Sequence, residues 1–210
     1  MDSENQFLSG LIELQYGQKV ESKLKKISAQ VPWAKGWPKN KVSFWNAEAF
    51  MWGHKIQTEK RELITKELSF LRGGNNLDLG CGSYSYLYSV GLDLSPKMLD
   101  FNDNLSKKVV GDIEKKLPFK NQGFDSVTAV FVLNYVKNLS LLLKEVARVL
   151  KSKGKFVAVL YSKELNDWQR QKEVHHFPVK EWKEILEKAR FKVSVSLNQN
   201  IWFFTCQKLY

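Results

Sequence analysis

The 210-residue sequence has few cysteines and no long apolar run. Cys81 and Cys206 are its only cysteines, too few for a disulfide framework or a cluster of metal ligands, so no metal is expected. No stretch of about 18 uncharged apolar residues occurs, so no membrane span is expected. The first residues lack the basic-then-apolar plan of a secretory signal. These absences together favour a cytoplasmic protein.

The charge balance is strongly basic. Lysine and arginine number 33 and the acidic residues 22, which gives a net charge of +11. Such an excess is typical of proteins with anionic partners such as nucleic acid or phosphorylated metabolites. It is equally typical of lysine-rich faces that only solvate the fold, and both interpretations stay open.

Residues 1–60 differ in pattern from the rest of the chain. An apolar stripe from Leu8 to Ile27 predicts one amphipathic helix, and a proline-containing stretch follows it. Ser43 is predicted to cap a second helix that runs towards Leu71. We therefore expect an N-terminal helical cap over residues 1–60 and a second domain over residues 61–210.

Four of the seven tryptophans fall in this N-terminal segment, at Trp33, Trp37, Trp45 and Trp52. They would either pack the cap onto the core or form an aromatic lid over an apolar or planar ligand. The sequence leaves both alternatives open.

From residue 75 onwards, short apolar runs alternate with helical patterns. The predicted strands are 77–79, 90–92, 109–110, 127–132 and 156–160, and the clearest helix is 139–150. Two further strands, 192–196 and 201–207, are close enough to form a hairpin. The pattern predicts an α/β fold: a Rossmann-like, doubly wound, mostly parallel sheet with an antiparallel last strand.

A glycine turn, Gly80-Cys81-Gly82, follows the first predicted strand. Ligands of such sheets bind at the carboxyl ends of the strands, where glycine lets the backbone approach closely. Asp78 lies just before the turn, Asp93 ends the second strand, and Asp112 ends the third. Asp93 could accept from ribose hydroxyls, Asp112 from an adenine amine, and Asp78 could balance an ammonium or sulfonium. Asp78 would repel a pyrophosphate, and the third glycine of the dinucleotide fingerprint is absent, which disfavours NAD or FAD.

These segments resemble the motifs of class I S-adenosylmethionine-dependent methyltransferases, and most closely the type 11 subgroup that includes ubiquinone and menaquinone biosynthesis enzymes. The likeness is carried by residues 77–82, 91–99, 111–119, 123–136 and 145–155. It extends over roughly residues 60–210 and implies S-adenosylmethionine (SAM) as cofactor.

The resemblance also implies roles for single residues around SAM. The turn residues with Asp78 would surround the methionine moiety, and Asp93 would hold the ribose. The remaining cofactor residues are Leu94, Asp112 and Ile113 at the adenine and Phe131 near the donor. One departure concerns the helix that the family places before its second strand. Only ten residues separate Gly82 from Asp93, so residues 83–89 are expected to supply about one or two helical turns.

The candidate catalytic residues are Asn134 and Tyr135, which follow the fourth strand, and His54 in the cap. A catalytic base is optional, because a sulfonium donor is already activated and the protein must mainly position the acceptor.

The leading hypothesis is a methyltransferase that acts on a small molecule. The second is an RNA methyltransferase, most plausibly of tRNA, that uses basic residues near the reactive edge such as Lys115, Lys116, Lys163, Arg170 and Lys172. The third is a non-catalytic SAM-binding module.

Overall fold

The computed structural model describes residues 2–162 and 174–209, with the side chains of all of these except residues 53–55. Its centre is a seven-stranded sheet in the order β3-β2-β1-β4-β5-β7-β6. Strands β1 to β5 are parallel, and β7 runs antiparallel to both β5 and β6. This topology confirms the predicted fold. The strands are β1 Asn76–Leu79, β2 Ser89–Asp93, β3 Leu105–Val110, β4 Phe124–Val130, β5 Leu150–Tyr161, β6 Phe191–Asn198 and β7 Ile201–Lys208.

Helices cover both faces of the sheet. On one face, α6 buries Leu142, Val146 and Val149, which the helical repeat places on one side. On the other face, Ile64 of α4 packs in a cluster that includes Phe203. No helix among the described residues is long and apolar enough to cross a membrane. The helices are α1 Ser3–Gln15, α2 Glu21–Ser28, α3 Lys41–Lys55, α4 Thr58–Glu67, α5 Pro96–Asp100, α6 Leu139–Val149 and α7 Val179–Lys188, with short 3-10 turns at Pro32–Ala34, Ser69–Leu71 and Leu133–Tyr135.

The prediction of one helix from Leu8 to Ile27 was wrong. The chain forms two helices, α1 and α2, because Gly17 between them has a φ of +80°, a conformation that glycine adopts without steric cost. The two helices pack closely, with Leu24 against Gly10.

The prediction of one helix from Ser43 to Leu71 was also wrong. Helix α3 starts earlier, because the Asn40 side chain accepts a hydrogen bond from the Ser43 backbone N–H at 3.0 Å and caps it. The chain becomes extended at Ile56, and α4 begins at Thr58. Helix α4 therefore spans residue 60, and the division into cap and domain at that residue stays a prediction.

The segment between β1 and β2 contains no helix, which corrects the expected one or two turns. Side chains hold it instead. Asn102 Nδ2 donates to the Gly82 carbonyl at 3.0 Å and to Ser85 Oγ at 3.1 Å, and Asn104 Nδ2 donates to the Ser85 carbonyl at 2.7 Å. These amides satisfy backbone groups that a helix would have paired internally.

Candidate functional site

A cleft opens at the carboxyl ends of the parallel strands. It contains about 890 Å³ of space, part of it open to solvent. All of the predicted cofactor residues line it: Asp78, Gly80, Cys81, Gly82, Asp93, Leu94, Asp112, Ile113 and Phe131. The fold thus brings together residues that are spread over more than 50 positions of the sequence.

The glycine turn forms the floor of the cleft. Gly80 and Gly82 have φ values of +59° and +57°, in the left-handed region that favours glycine. A Cβ at Gly80 would lie 2.4 Å from Cγ2 of Val132, and one at Gly82 would lie 3.4 Å from Nε1 of Trp52. Both glycines are therefore required by backbone shape, and Gly80 also by space.

Asp78 is a buried acid beside this turn, 3% exposed. Its carboxylate accepts from Ser85 Oγ and from Thr128 Oγ1, each at 2.7 Å. The pKa of Asp78 is raised to about 6 in total. Burial raises it most, the two hydroxyls lower it, and the nearby charge of Asp93 raises it. Because the described hydrogen-bond partners are neutral, a cation bound in the cleft would stabilise the ionised form of Asp78.

Asp93 connects the turn to the next helix. Its Oδ2 accepts from the Gly82 N–H at 2.9 Å and its Oδ1 from the Ser95 N–H at 2.8 Å. Burial raises the pKa of Asp93, and the backbone donors lower it. Each carboxylate oxygen can accept more than one hydrogen bond. Asp93 can therefore hold the turn and still accept from a ligand.

Asp112 also lines the cleft, near the first turn of α3. Its Oδ1 accepts from the Glu114 N–H at 3.0 Å, and Nζ of Lys41 lies 3.9 Å away. Lys41 is the first residue of α3 and also pairs with Glu114 at 2.5 Å. The cap thus contributes a cation to the site that sequence reasoning missed.

Phe131 follows β4 with a φ of +55°. A bulky residue seldom adopts this conformation, and such outliers concentrate at functional sites. Its ring stacks on Tyr161 with centroids 4.5 Å apart, and its N–H donates to the Val159 carbonyl at 2.8 Å. The end of β4 is thereby turned into the cleft.

The four N-terminal tryptophans divide into two pairs. Trp33 and Trp37 pack edge-on against Phe7, each with centroids 5.6 Å apart, and belong to the core of the cap. Trp45 and Trp52 line the cleft, with their rings 6.2 Å apart. Trp33 and Trp37 thus pack among the N-terminal helices themselves, and the lid alternative stays a prediction for Trp45 and Trp52.

The predicted catalytic residues are not all brought together. Tyr135 lines the cleft, with its ring edge-on to Trp45 at 5.1 Å. Asn134 is not among the residues that line the cleft, and its backbone carbonyl accepts from the N–H groups of Val174 and His175. The side chain of His54 lies outside the described residues.

Several cleft residues were missed from the sequence. Arg61 comes from α4, while Tyr84 and Tyr86 come from the segment that replaces the expected helix. The alternating tyrosines of Tyr84-Ser85-Tyr86 were a signal, because alternate residues of an extended segment point the same way. Nothing local in the sequence around Arg61 indicates the cleft.

Comparison with known proteins agrees with this geometry. Residues 77–158 match the family described as "Methyltransferase domain". An uncharacterized protein of Methanocaldococcus jannaschii is 42% identical over 47% of this chain and 40% of its own length. The demethylmenaquinone methyltransferase of Tropheryma whipplei (strain Twist) is 32% identical over 49% of this chain and 48% of its own. The chain thus spans less than half the length of these two curated relatives.

A solved structure extends the likeness beyond residues 77–158. It is a chain of the complex between the Trm112 methyltransferase activator and a methyltransferase of Haloferax volcanii. The TM-score is 0.63 at 21% identity, with 79% of this chain and 98% of that chain covered. Residues 77–158 therefore match a methyltransferase domain, and the chain has the fold of this solved methyltransferase structure.

Proposed function

We propose that this protein transfers a methyl group from SAM to a small-molecule acceptor. The observation that carries the proposal is that the predicted cofactor residues and the aromatic side chains of the cap line one cleft. A relative named for demethylmenaquinone supports a small acceptor.

The residues present fit SAM. The glycine turn, where a Cβ at Gly80 would collide with Val132, gives a ligand close access to the backbone. Buried Asp78 suits a cationic methionine moiety, and Asp93 retains acceptor capacity for the ribose hydroxyls. Asp112 and Ile113 would read the adenine edge, with Leu94 packed on the ring. When bound, SAM supplies a methyl group that its sulfonium has already activated.

The chain's own contribution is to position the acceptor and exclude water. Trp45, Trp52 and Tyr135 form an aromatic wall suited to a planar or apolar molecule. Tyr135 is the predicted catalytic residue best placed to contact the acceptor. We assign no role to Asn134 or His54.

The RNA alternative has less support. Lys115 and Lys116 are exposed, whereas Lys163, Arg170 and Lys172 lie outside the described residues. Six of the described residues that line the cleft are aromatic, and two, Lys41 and Arg61, are cationic. Single-stranded RNA can also stack on aromatic side chains, so incubation with RNA belongs in the test.

A tritiated-methyl transfer assay on fractionated small metabolites, RNA and protein tests the proposal. We expect label in the small-molecule fraction. Label in RNA would support the second hypothesis, and SAM binding without transfer to any fraction would support the third.

A matched pair of tryptophan variants tests the acceptor wall. Trp45→Leu should lower transfer at least about tenfold, because an aromatic contact of about 1 kcal/mol and the water-excluding surface are both lost. Trp33→Leu removes an equal side chain from the cap core and should leave transfer by the folded fraction near wild type. Equal losses in the two variants would contradict the acceptor role.

A further inference from the structure

Tyr86 places a buried hydroxyl at the wall of the cleft. The residue is 6% exposed and lines the cleft beside the glycine turn. Its hydroxyl has no hydrogen-bond partner among the described residues. Buried polar groups are nearly always paired, so an unpaired one at a cleft points to a ligand.

The groups around Tyr86 define what that ligand can be. The Tyr84 and Tyr86 rings pack edge to face with centroids 5.2 Å apart, and the guanidinium of Arg61 lies 4.5 Å over Tyr84. Arg61 also lines the cleft, and its charge is felt at the Tyr86 hydroxyl, as is the opposite charge of Asp78. Tyr86 is therefore close enough to one cationic and one anionic side chain for both charges to act on its hydroxyl.

The hydroxyl of Tyr86 is a donor. Burial raises its pKa well above the usual value, and Arg61 offsets only part of that effect. Tyr86 thus keeps its proton at neutral pH. A guanidinium can only donate. A ligand group that contacts both the Tyr86 hydroxyl and the Arg61 guanidinium must be a hydrogen-bond acceptor, and the positive charge of Arg61 favours an anion.

We propose that Arg61 and Tyr86 form a carboxylate-binding site in the cleft. The proposal rests on the proposed function, since the carboxylate belongs either to the methionine tail of SAM or to the methyl acceptor. Asp78 near this donor pair would suit the ammonium of an α-amino acid, which favours the tail of SAM. The site depends on the helix-free segment 83–88, where the hydrogen bond of Ser85 to Asp78 fixes the residue next to Tyr86.

Binding of SAM and of decarboxylated SAM tests the first source, because the two ligands differ only in the carboxylate. The wild-type protein should bind SAM at least about tenfold more tightly than decarboxylated SAM. This ratio corresponds to the loss of one charge-assisted hydrogen bond. Tyr86→Phe and Arg61→Gln should each reduce this preference for SAM over decarboxylated SAM. Tyr88→Phe is the matched control, because Tyr88 lies on the same segment but is 66% exposed and not part of the cleft wall.

A second arm tests the acceptor as the source. Benzoate and its neutral analogue benzamide are titrated into protein saturated with S-adenosylhomocysteine. If the acceptor supplies the carboxylate, benzoate binds more tightly than benzamide, and Tyr86→Phe removes the preference. Thermal unfolding of the ligand-free Tyr86→Phe protein should be unchanged or shifted upwards, because the hydroxyl has no described bond to lose.

The proposal is overturned if wild type discriminates in neither arm, or if Tyr86→Phe leaves every preference intact. A lower melting temperature of ligand-free Tyr86→Phe would also count against it, because it would indicate a structural bond. Failure of the proposed function is a separate result. In that case methylthioadenosine, which lacks the amino-acid tail, would not bind either.

Discussion

At the residue scale, the negative charge of Asp78 destabilises the ligand-free folded protein and should stabilise a bound cationic ligand. Its pKa of about 6, raised from 3.8 by burial, means that the folded protein holds this proton more tightly than the unfolded chain does. The favourable contribution of Asp78 to folding is complete below pH 3.8 and is lost as pH rises through about 6.

Binding of SAM should follow the opposite trend, because a cationic ligand needs the ionised carboxylate. We expect its affinity to increase as pH rises through about 6 and to level off above. Calorimetric titrations across this range measure the effect. Asp78→Asn should bind weakly with a flatter profile, while an unaltered profile in that variant would show that another group governs the pH dependence.

Alanine substitutions at Gly80 and Gly73 distinguish the cost of a steric collision from the cost of backbone strain. Both have positive φ, but a Cβ at Gly80 would meet Val132 at 2.4 Å, whereas a Cβ at Gly73 meets nothing within 4 Å. Gly73→Ala should cost about 1–2 kcal/mol of unfolding free energy from conformation alone. Gly80→Ala should cost more, and adding Val132→Ala should restore only the difference. Denaturant unfolding measures all three, and equal costs at the two glycines would argue against the collision.

At the scale of elements, α3 is fastened to the cofactor side of the sheet by one buried amide. Asn46 Oδ1 accepts from Ser95 Oγ at 2.7 Å, and its Nδ2 donates to the Trp33 carbonyl at 2.9 Å. Ser95 in turn donates its N–H to Asp93. Helix α3 and Asp93 are thus linked through a continuous hydrogen-bond network.

Asn46→Ala should therefore weaken both folding and SAM binding. Loss of buried hydrogen bonds should cost about 1–3 kcal/mol in chemical unfolding, and SAM affinity of the folded protein should fall because Ser95 is less firmly held. Asn5→Ala is the control, since Asn5 makes exposed contacts on α1. A cap that moves independently of the site would lose stability in Asn46→Ala yet keep its affinity.

The strands could be predicted and much of the helical cap could not. Short apolar runs locate β1, β2 and β4, because burial on both faces of a parallel sheet leaves a strong apolar signal. The apolar stripe of Leu8 to Ile27 continues across Gly17, so periodicity alone did not reveal the break. The local pattern of residues 83–88 could not exclude a helix. In the structure, the side-chain amides of Asn102 and Asn104, which come from later in the chain, pair with this segment instead.

Some residues of the candidate site could likewise be predicted from the sequence and others could not. Asp78 lies just before the turn that follows the first predicted strand, and Asp93 and Asp112 end the next two. These positions are enough to place the three acids at one edge of the sheet. Lys41 and Arg61 reach the cleft only because α3 and α4 fold back over it, and no spacing in the sequence encodes that contact.

At the scale of the whole molecule, part of the basic charge has a structural use. Lys107 and Lys108 are exposed on β3, an edge strand, where lysine discourages pairing with other chains. Lys151 pairs with Asp125 at 2.8 Å on the edge away from the cleft. The charge that remains near the cleft is concentrated at Lys41 and Arg61 among the lining residues.

The SAM site itself is tested most directly by calorimetric titration of S-adenosylhomocysteine into wild type, Asp112→Ala and Asp125→Ala. We predict saturable one-site binding to wild type, at least about tenfold weaker binding to Asp112→Ala, and wild-type affinity for Asp125→Ala, whose acid lies at the opposite edge of the sheet. Absence of binding to folded wild type, or equal affinity of Asp112→Ala and wild type, would contradict the assignment of this cleft to SAM.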